Sequence, residues 1–183
     1  MTDRAQYRPG PASEAQVRKD GDKWTLILVR ELRHPPEKVW QALTDPAQLR
    51  EWAPFDVDGS LGTVGATVQF TWVGAPTPIP TTVTQAEAPK LLAYGDIRWE
   101  LEASGAGTRL TLWSTIDRRY ISMGAAGWHI AFDVLDHFLG GTPIGRISGG
   151  DAMKFEGWQR LNQEYAEQFG VTPPSWPSNA AKR

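Results

Sequence analysis

The stretch HPPEKVWQALTDPAQLREW, from His34 to Trp52, encodes two short helices back to back with almost no linker, an arrangement few folds accommodate. Pro36 suits a first helical position, where its missing N–H costs nothing, and Val39, Trp40 and Leu43 then share one face. Asp45-Pro46 closes this helix and opens the next: Asp45 is an N-cap, Pro46 the first helical residue, and Leu49 and Trp52 point back inward. The pair forms a V. A strand pattern precedes it from Trp24 to Leu32 and a run of strand patterns follows, so the V interrupts a sheet between its first and second strands.

Those later strands read as alternation in short pieces: Val68, Phe70 and Trp72 on one face, then Ile97, Trp99 and Leu101, then Leu110, Leu112 and Ile116. Turns at Gly59 to Gly65, Ala88-Pro89-Lys90 and Ser104 to Gly107 have the spacing of an antiparallel meander. GAPTPIP, Gly74 to Pro80, is too proline-rich for a central strand and reads as a loop at the rim. A long helix spans about Ala125 to Leu139, with Trp128, Phe132, Leu135 and Leu139 on one stripe. Ile130, Val134 and Phe138 widen its apolar arc beyond what one sheet covers. The C-terminal segment supplies a second cover: Phe155, Trp158, Leu161, Asn162, Tyr165 and Phe169 share a face that ends at Gly170. That helix is expected on the Ile130, Val134 and Phe138 side, in the same chain or swapped onto a partner in a homodimer. Residues 1–22 read as a flexible leader and 171–183 as an extended tail; 23–140 form the domain, and 141–170 the glycine-rich linker with the last helix.

Composition excludes several function classes. Without cysteine there are no disulfides, thiolate metal sites or cysteine nucleophiles. The net charge of −2 is spread evenly, which leaves no electrostatic footprint for nucleic acid or an anionic membrane. No apolar run approaches the ~20 residues that span a bilayer. The N-terminal MTDRAQYRPGPASEAQVRKDGDK lacks the apolar core of a signal peptide, so the chain is expected in the cytoplasm.

The order strand, two short helices, strands, long helix resembles the SRPBCC superfamily of START and birch-pollen-allergen-like helix-grip domains, in its AHSA-like branch. The resemblance runs from about Trp24 to Gly140. Its carriers are LVRELRHPPEKVWQALTDPAQLREW, FDVDGSLGTVGATVQFTW, TQAEAPKLLAYG, IRWELEASGAGTRLTLWSTID and AAGWHIAFDVLDHFLGG. It implies an α+β helix-grip fold: a curved antiparallel sheet of about seven strands wrapped round the long helix, with a cavity between them. The C-terminal helix is an addition to that pattern. Candidate wall residues are Trp52, Phe55, Phe70, Trp72, Tyr94, Trp99, Leu101, Leu112, Trp128, Phe132 and Leu135, with Ser114 as an inward hydrogen-bonding handle on the Leu112 face.

Each of these rings is equally at home in a solid core; as a set, rings on opposed elements suggest a pocket for a small hydrophobic or aromatic molecule. Two other classes stay open: a cyclase- or hydrolase-like enzyme using the same cavity, and a stress-related, co-chaperone-like interaction module. No catalytic constellation is legible. His129, Asp133 and His137 lie at i, i+4 and i+8, but the two histidines are ~12 Å apart along the axis and cannot share a metal. Their arc lies opposite the apolar stripe and is expected to be a solvated face, and His34 has no evident partner. Ser148 in GRISGG lacks a nucleophile-elbow context, GAGTRL is not a dinucleotide loop, and Glu100 falls out of register with Trp99 and Leu101 and faces solvent. No cofactor or metal is indicated.

Overall fold

The computed structural model describes residues 4–173; the expected tail lies outside them from residue 174 onward. Eight strands form one antiparallel sheet: β1 (Ala15–Arg18), β2 (Lys23–Leu32), β3 (Phe55–Val57), β4 (Thr67–Trp72), β5 (Ile79–Glu87), β6 (Leu91–Tyr94), β7 (Ile97–Ser104) and β8 (Gly107–Asp117). Their spatial order is β1-β2-β8-β7-β6-β5-β4-β3, so β2 closes on β8 and the sheet curls into a half-barrel. Helices α1 (Pro36–Thr44) and α2 (Pro46–Trp52) lie between β2 and β3; α3 (Ile121–Leu139), α4 (Gly150–Met153) and α5 (Glu156–Phe169) follow β8. This is the helix-grip order.

The V forms as its residues dictate. Pro36 is the first residue of α1, Pro46 that of α2, and the Asp45 carboxylate accepts the Ala47 N–H at 3.0 Å. Trp52 then locks the two helices by donating its indole N–H to Ala42 O at 2.9 Å. In β5 the pairing slips between Val83 and Gln85, and the inward set passes from Thr81 and Val83 to Ala86. A bulge of this kind bends a strand, and here it turns the sheet over the helix. At the start of β8 a Cβ on Gly107 would sit 2.2 Å from Leu32 O, so only glycine lets β8 approach the end of β2.

Trp128, Phe132 and Leu135 are buried beneath the concave face, with Trp128 and Phe132 reaching Trp99 of β7 at ring distances of 5.6 and 6.0 Å. The core is therefore helix against sheet. GAPTPIP is a loop only as far as Pro78, since Ile79 and Pro80 already belong to β5 and pair with β4. α3 begins at Ile121, four residues ahead of the expected start.

Two expectations need correction. The segment read as a flexible leader is ordered from Arg4: β1 pairs with β2 from Ala15↔Leu28 to Arg18↔Thr25, and Tyr7 is buried. Arg160 grips the carbonyls of Pro9 and Gly10, and Gln168 that of Ser13, which ties this strap to α5. The second concerns α5, which packs on α3 in the same chain as allowed for, with Trp158, Leu161, Tyr165 and Phe169 buried. The hydrogen bonds that fix it reach Ser122 and His129, the arc expected to be solvated. Gly170, left-handed at φ 67°, ends the helix as anticipated.

Candidate functional site

The rings expected to wall a central cavity instead interlock. Trp52 meets Trp99 at 6.0 Å, Trp99 meets Trp128 at 5.6 Å, and Phe55 meets Trp128 at 6.5 Å, all edge to face. The Trp99 indole donates to Tyr94 Oη at 3.1 Å, and burial pushes that phenol well above its ordinary pKa, so it stays protonated. Trp52, Phe55, Trp99, Leu101, Leu112, Trp128, Phe132 and Leu135 are core residues, each 4 % exposed or less. Close packing of flat rings leaves no room between sheet and helix at this level.

An empty space of about 190 Å³ persists at one end of the half-barrel. It is lined by Phe70, Trp72, Tyr94 and Ser114 from the expected set, and by Ile79, Thr81, Gly95, Asp96, Ile97 and Thr115. Strands β4 to β8 and the β6–β7 turn supply the walls, because the inward alternation of β4 (Phe70, Trp72), β5 (Ile79, Thr81), β7 (Ile97) and β8 (Ser114) converges there. Register supports this: Ile97 stands opposite Ser114, Tyr94 opposite Ile97, and Phe70 opposite Ile79. Trp72 is the mouth. At 37 % exposure it touches Phe55, Phe70 and Trp128 on one side and solvent on the other.

Ser114 is 3 % exposed and makes no side-chain hydrogen bond among the described residues. Three other buried hydroxyls are engaged, Thr44 donating to Trp40 O, Thr108 to His34 O and Ser122 to Asn162 Oδ1, whereas that of Ser148, outside this space, is not. The residues that sequence reasoning missed here, Ile79, Thr81, Gly95 and Thr115, lie at strand ends and in the β6–β7 turn, where only the curl of the sheet brings them together. A wider groove of about 510 Å³ between Lys38, Gln41, Gln48 and Gly140 is open to solvent and lacks such convergence.

The polar residues of α3 serve another purpose. His129 is 3 % exposed because α5 covers it, and the reading of this arc as solvated is overturned for that reason. Asp133 receives Arg30 Nη1 at 2.6 Å and the Tyr7 hydroxyl, while His129 Nε2 lies 3.8 Å from its other oxygen. Arg30 shares the inward face of β2 with Leu28 and Leu32, so its ion pair ties Asp133 of α3 to the sheet. His129 Nδ1 lies 2.8 Å from Tyr165 Oη, which accepts the Ser13 N–H at 3.1 Å. With the His129 proton on Nε2, the nitrogen that faces the Asp133 carboxylate, Nδ1 accepts the Tyr165 O–H. Desolvation lowers the pKa of His129 and raises those of Tyr165 and Tyr7, the last also through Asp133. The network stays neutral at its histidine and phenols and binds strap, α3 and α5 together; none of its members lines the cavity. His34 does have a partner, Asp136, at 3.4 Å.

Comparison with known proteins gives the family and the fold. Residues 33–140 match the family model described as activator of Hsp90 ATPase homolog 1-like protein. A solved protein from Mesorhizobium loti is 25% identical, with TM-score 0.56 over 64% of this chain and 98% of its own. CalU16 from Micromonospora echinospora is 22% identical, with TM-score 0.60 over 86% of this chain and 95% of its own. DynU16, a protein in the dynemicin biosynthetic locus, is 22% identical, with TM-score 0.57 over 68% of this chain and 51% of its own. No curated protein matches the sequence.

Proposed function

The chain belongs to the activator of Hsp90 ATPase homolog 1-like family, the AHSA-like branch of the SRPBCC superfamily, and from that premise we propose that it binds a small apolar, preferably aromatic molecule at the end of the half-barrel. One observation carries the reading: a cavity of about 190 Å³ walled by Phe70, Trp72, Tyr94 and Ile97 also contains the unpartnered hydroxyl of Ser114. An apolar enclosure with few convergent polar groups is how small-molecule sites are built. Trp72 admits the molecule, since it is the half-exposed ring between cavity and solvent. The role is binding in place of catalysis: the network with perturbed protonation, Tyr7, His129 and Tyr165, is buried away from the cavity. We place this activity in the cytoplasm.

The test is a titration with N-phenyl-1-naphthylamine, an uncharged probe that fluoresces in apolar sites. A saturable rise is expected with the wild type, weakened at least tenfold in Trp72→Ala and unchanged in Trp113→Phe, a ring on the outer face under Arg98. Absence of saturable binding by the wild type overturns the proposal.

A further inference from the structure

We infer that the cavity is shaped for a single aromatic ring bearing one uncharged hydroxyl, a simple phenol, and that it rejects carboxylates; this rests on the binding reading above and narrows it to a ligand class. Three observations lead there.

The first is size. An apolar cavity of roughly 150 Å³ accommodates benzene, so about 190 Å³ takes one ring and a small substituent. A fused or extended skeleton would seat one ring there and leave the rest protruding past Trp72 and Ile79 into solvent.

The second is the wall. Phe70 lies 5.0 Å from Trp72 and 6.2 Å from Tyr94, at interplanar angles of 78° and 46°. Rings so inclined present both faces and edges, the complement of another aromatic ring.

The third is polarity. Ser114 is buried and faces the cavity from β8 without a hydrogen-bond partner among the described residues. Its oxygen opens onto the cavity with no protein group to bond, so a ligand hydroxyl can both donate to it and accept from it. Ser148, whose buried hydroxyl has no partner, does not line this cavity. No lysine, arginine or histidine lines it either, whereas the carboxylate of Asp96 does and forms no ion pair among the described residues. An anionic ligand would meet a like charge at the rim and no counter-charge inside. A phenol, neutral at pH 7 because its pKa lies near 10, meets neither obstacle.

Three probes of one size separate these terms: 4-methylphenol, toluene and 4-methylbenzoate, each titrated into the full chain by NMR or calorimetry beside N-phenyl-1-naphthylamine. In the wild type, 4-methylphenol is expected to bind about tenfold more tightly than toluene, which is the worth of one satisfied hydrogen bond. It should exceed 4-methylbenzoate by at least as much. Ser114→Ala should bring the phenol-to-toluene ratio near unity with toluene unchanged, and Asp96→Asn should strengthen 4-methylbenzoate severalfold. Equal binding of phenol and toluene by the wild type, a ratio unmoved by Ser114→Ala, or benzoate matching phenol overturns the inference. If the naphthylamine binds and no single-ring probe does, the ligand class falls and the binding reading stands. If nothing binds, both fall.

Discussion

Trp99→Ala and Trp72→Ala remove the same side chain from the same aromatic cluster, yet the structure assigns them opposite consequences. Trp99 is 0 % exposed and packs edge to face on Trp52 and Trp128. Burying ~200 Å² of ring at ~25 cal/mol/Å² is worth about 5 kcal/mol as an upper figure, and measured losses for buried Trp→Ala run at ~3–5 kcal/mol. Truncation also takes the indole donor from Tyr94. The expected cost is therefore about 4 kcal/mol. Trp72 is 37 % exposed, so the same arithmetic gives about 3 kcal/mol, reduced to about 2 kcal/mol for a compact unfolded state. The assay is thermal unfolding followed by far-ultraviolet circular dichroism, with naphthylamine titration on the folded variants. Trp99→Ala should lose roughly 8–16 °C in melting temperature and keep its probe affinity, whereas Trp72→Ala should lose about half as much stability and most of its affinity. If Trp99→Ala costs less than Trp72→Ala, or is the variant that loses the probe, the division between core and mouth is wrong.

Three further outcomes are expected. Burial lowers the pKa of His129 below the 6.5 of free imidazole, so the unfolded chain takes up that proton first; the stability His129 confers is present above pH 6.5 and lost as pH falls through the lower folded value, and the urea midpoint measured across that range should fall less steeply in His129→Gln. Gly127→Ala, in the middle of α3 with nothing within 4 Å of the new Cβ, should stabilise by about 0.5–1 kcal/mol in thermal unfolding, whereas Gly124→Ala should gain little or lose, because its Cβ meets Ile116 Cδ1 at 2.5 Å. Tyr7→Phe removes a hydrogen bond to the Asp133 carboxylate and should cost about 1.5 kcal/mol by urea unfolding; no cost would mean that the N-terminal strap is not held there.

Much of this architecture is legible in local chemistry. Proline and aspartate at the helix starts specify α1 and α2, and period-two alternation marks β4, β7 and β8. The 3.6-residue stripe of α3 names Trp128, Phe132 and Leu135 as the face under the sheet. What escapes depends on partners distant in the chain. β1 offers only Ala15 and Val17 to the interior, too little alternation to announce a strand; its order comes from pairing with β2 and from the strap's bonds to α5. His129 and Asp133 belong to a polar arc on a helical wheel, and only the placement of α5 and β2 buries them. The same holds for the cavity. Alternation identifies Phe70, Trp72, Tyr94 and Ser114 as inward, and equally Trp99, as helical spacing does Trp52; which rings interlock and which stand at the open end follows from the curl of the sheet, including the bulge in β5. Of the candidate wall residues, those on β4, β6 and β8 near the β6–β7 turn reach the space, and those beneath α3 fill the core.

The central claim is that a small aromatic molecule occupies the space between Trp72, Ile97 and Ser114. Intermolecular nuclear Overhauser effects from 4-methylphenol to a methyl- and indole-labelled chain test it most directly. Cross-peaks to the methyls of Ile79, Ile97 and Thr81 and to the Trp72 indole, with none to Leu101 or Leu135, are the predicted result. Cross-peaks confined to the outer face around Val29 and Trp113, or to the groove beside Lys38 and Gln48, would contradict it.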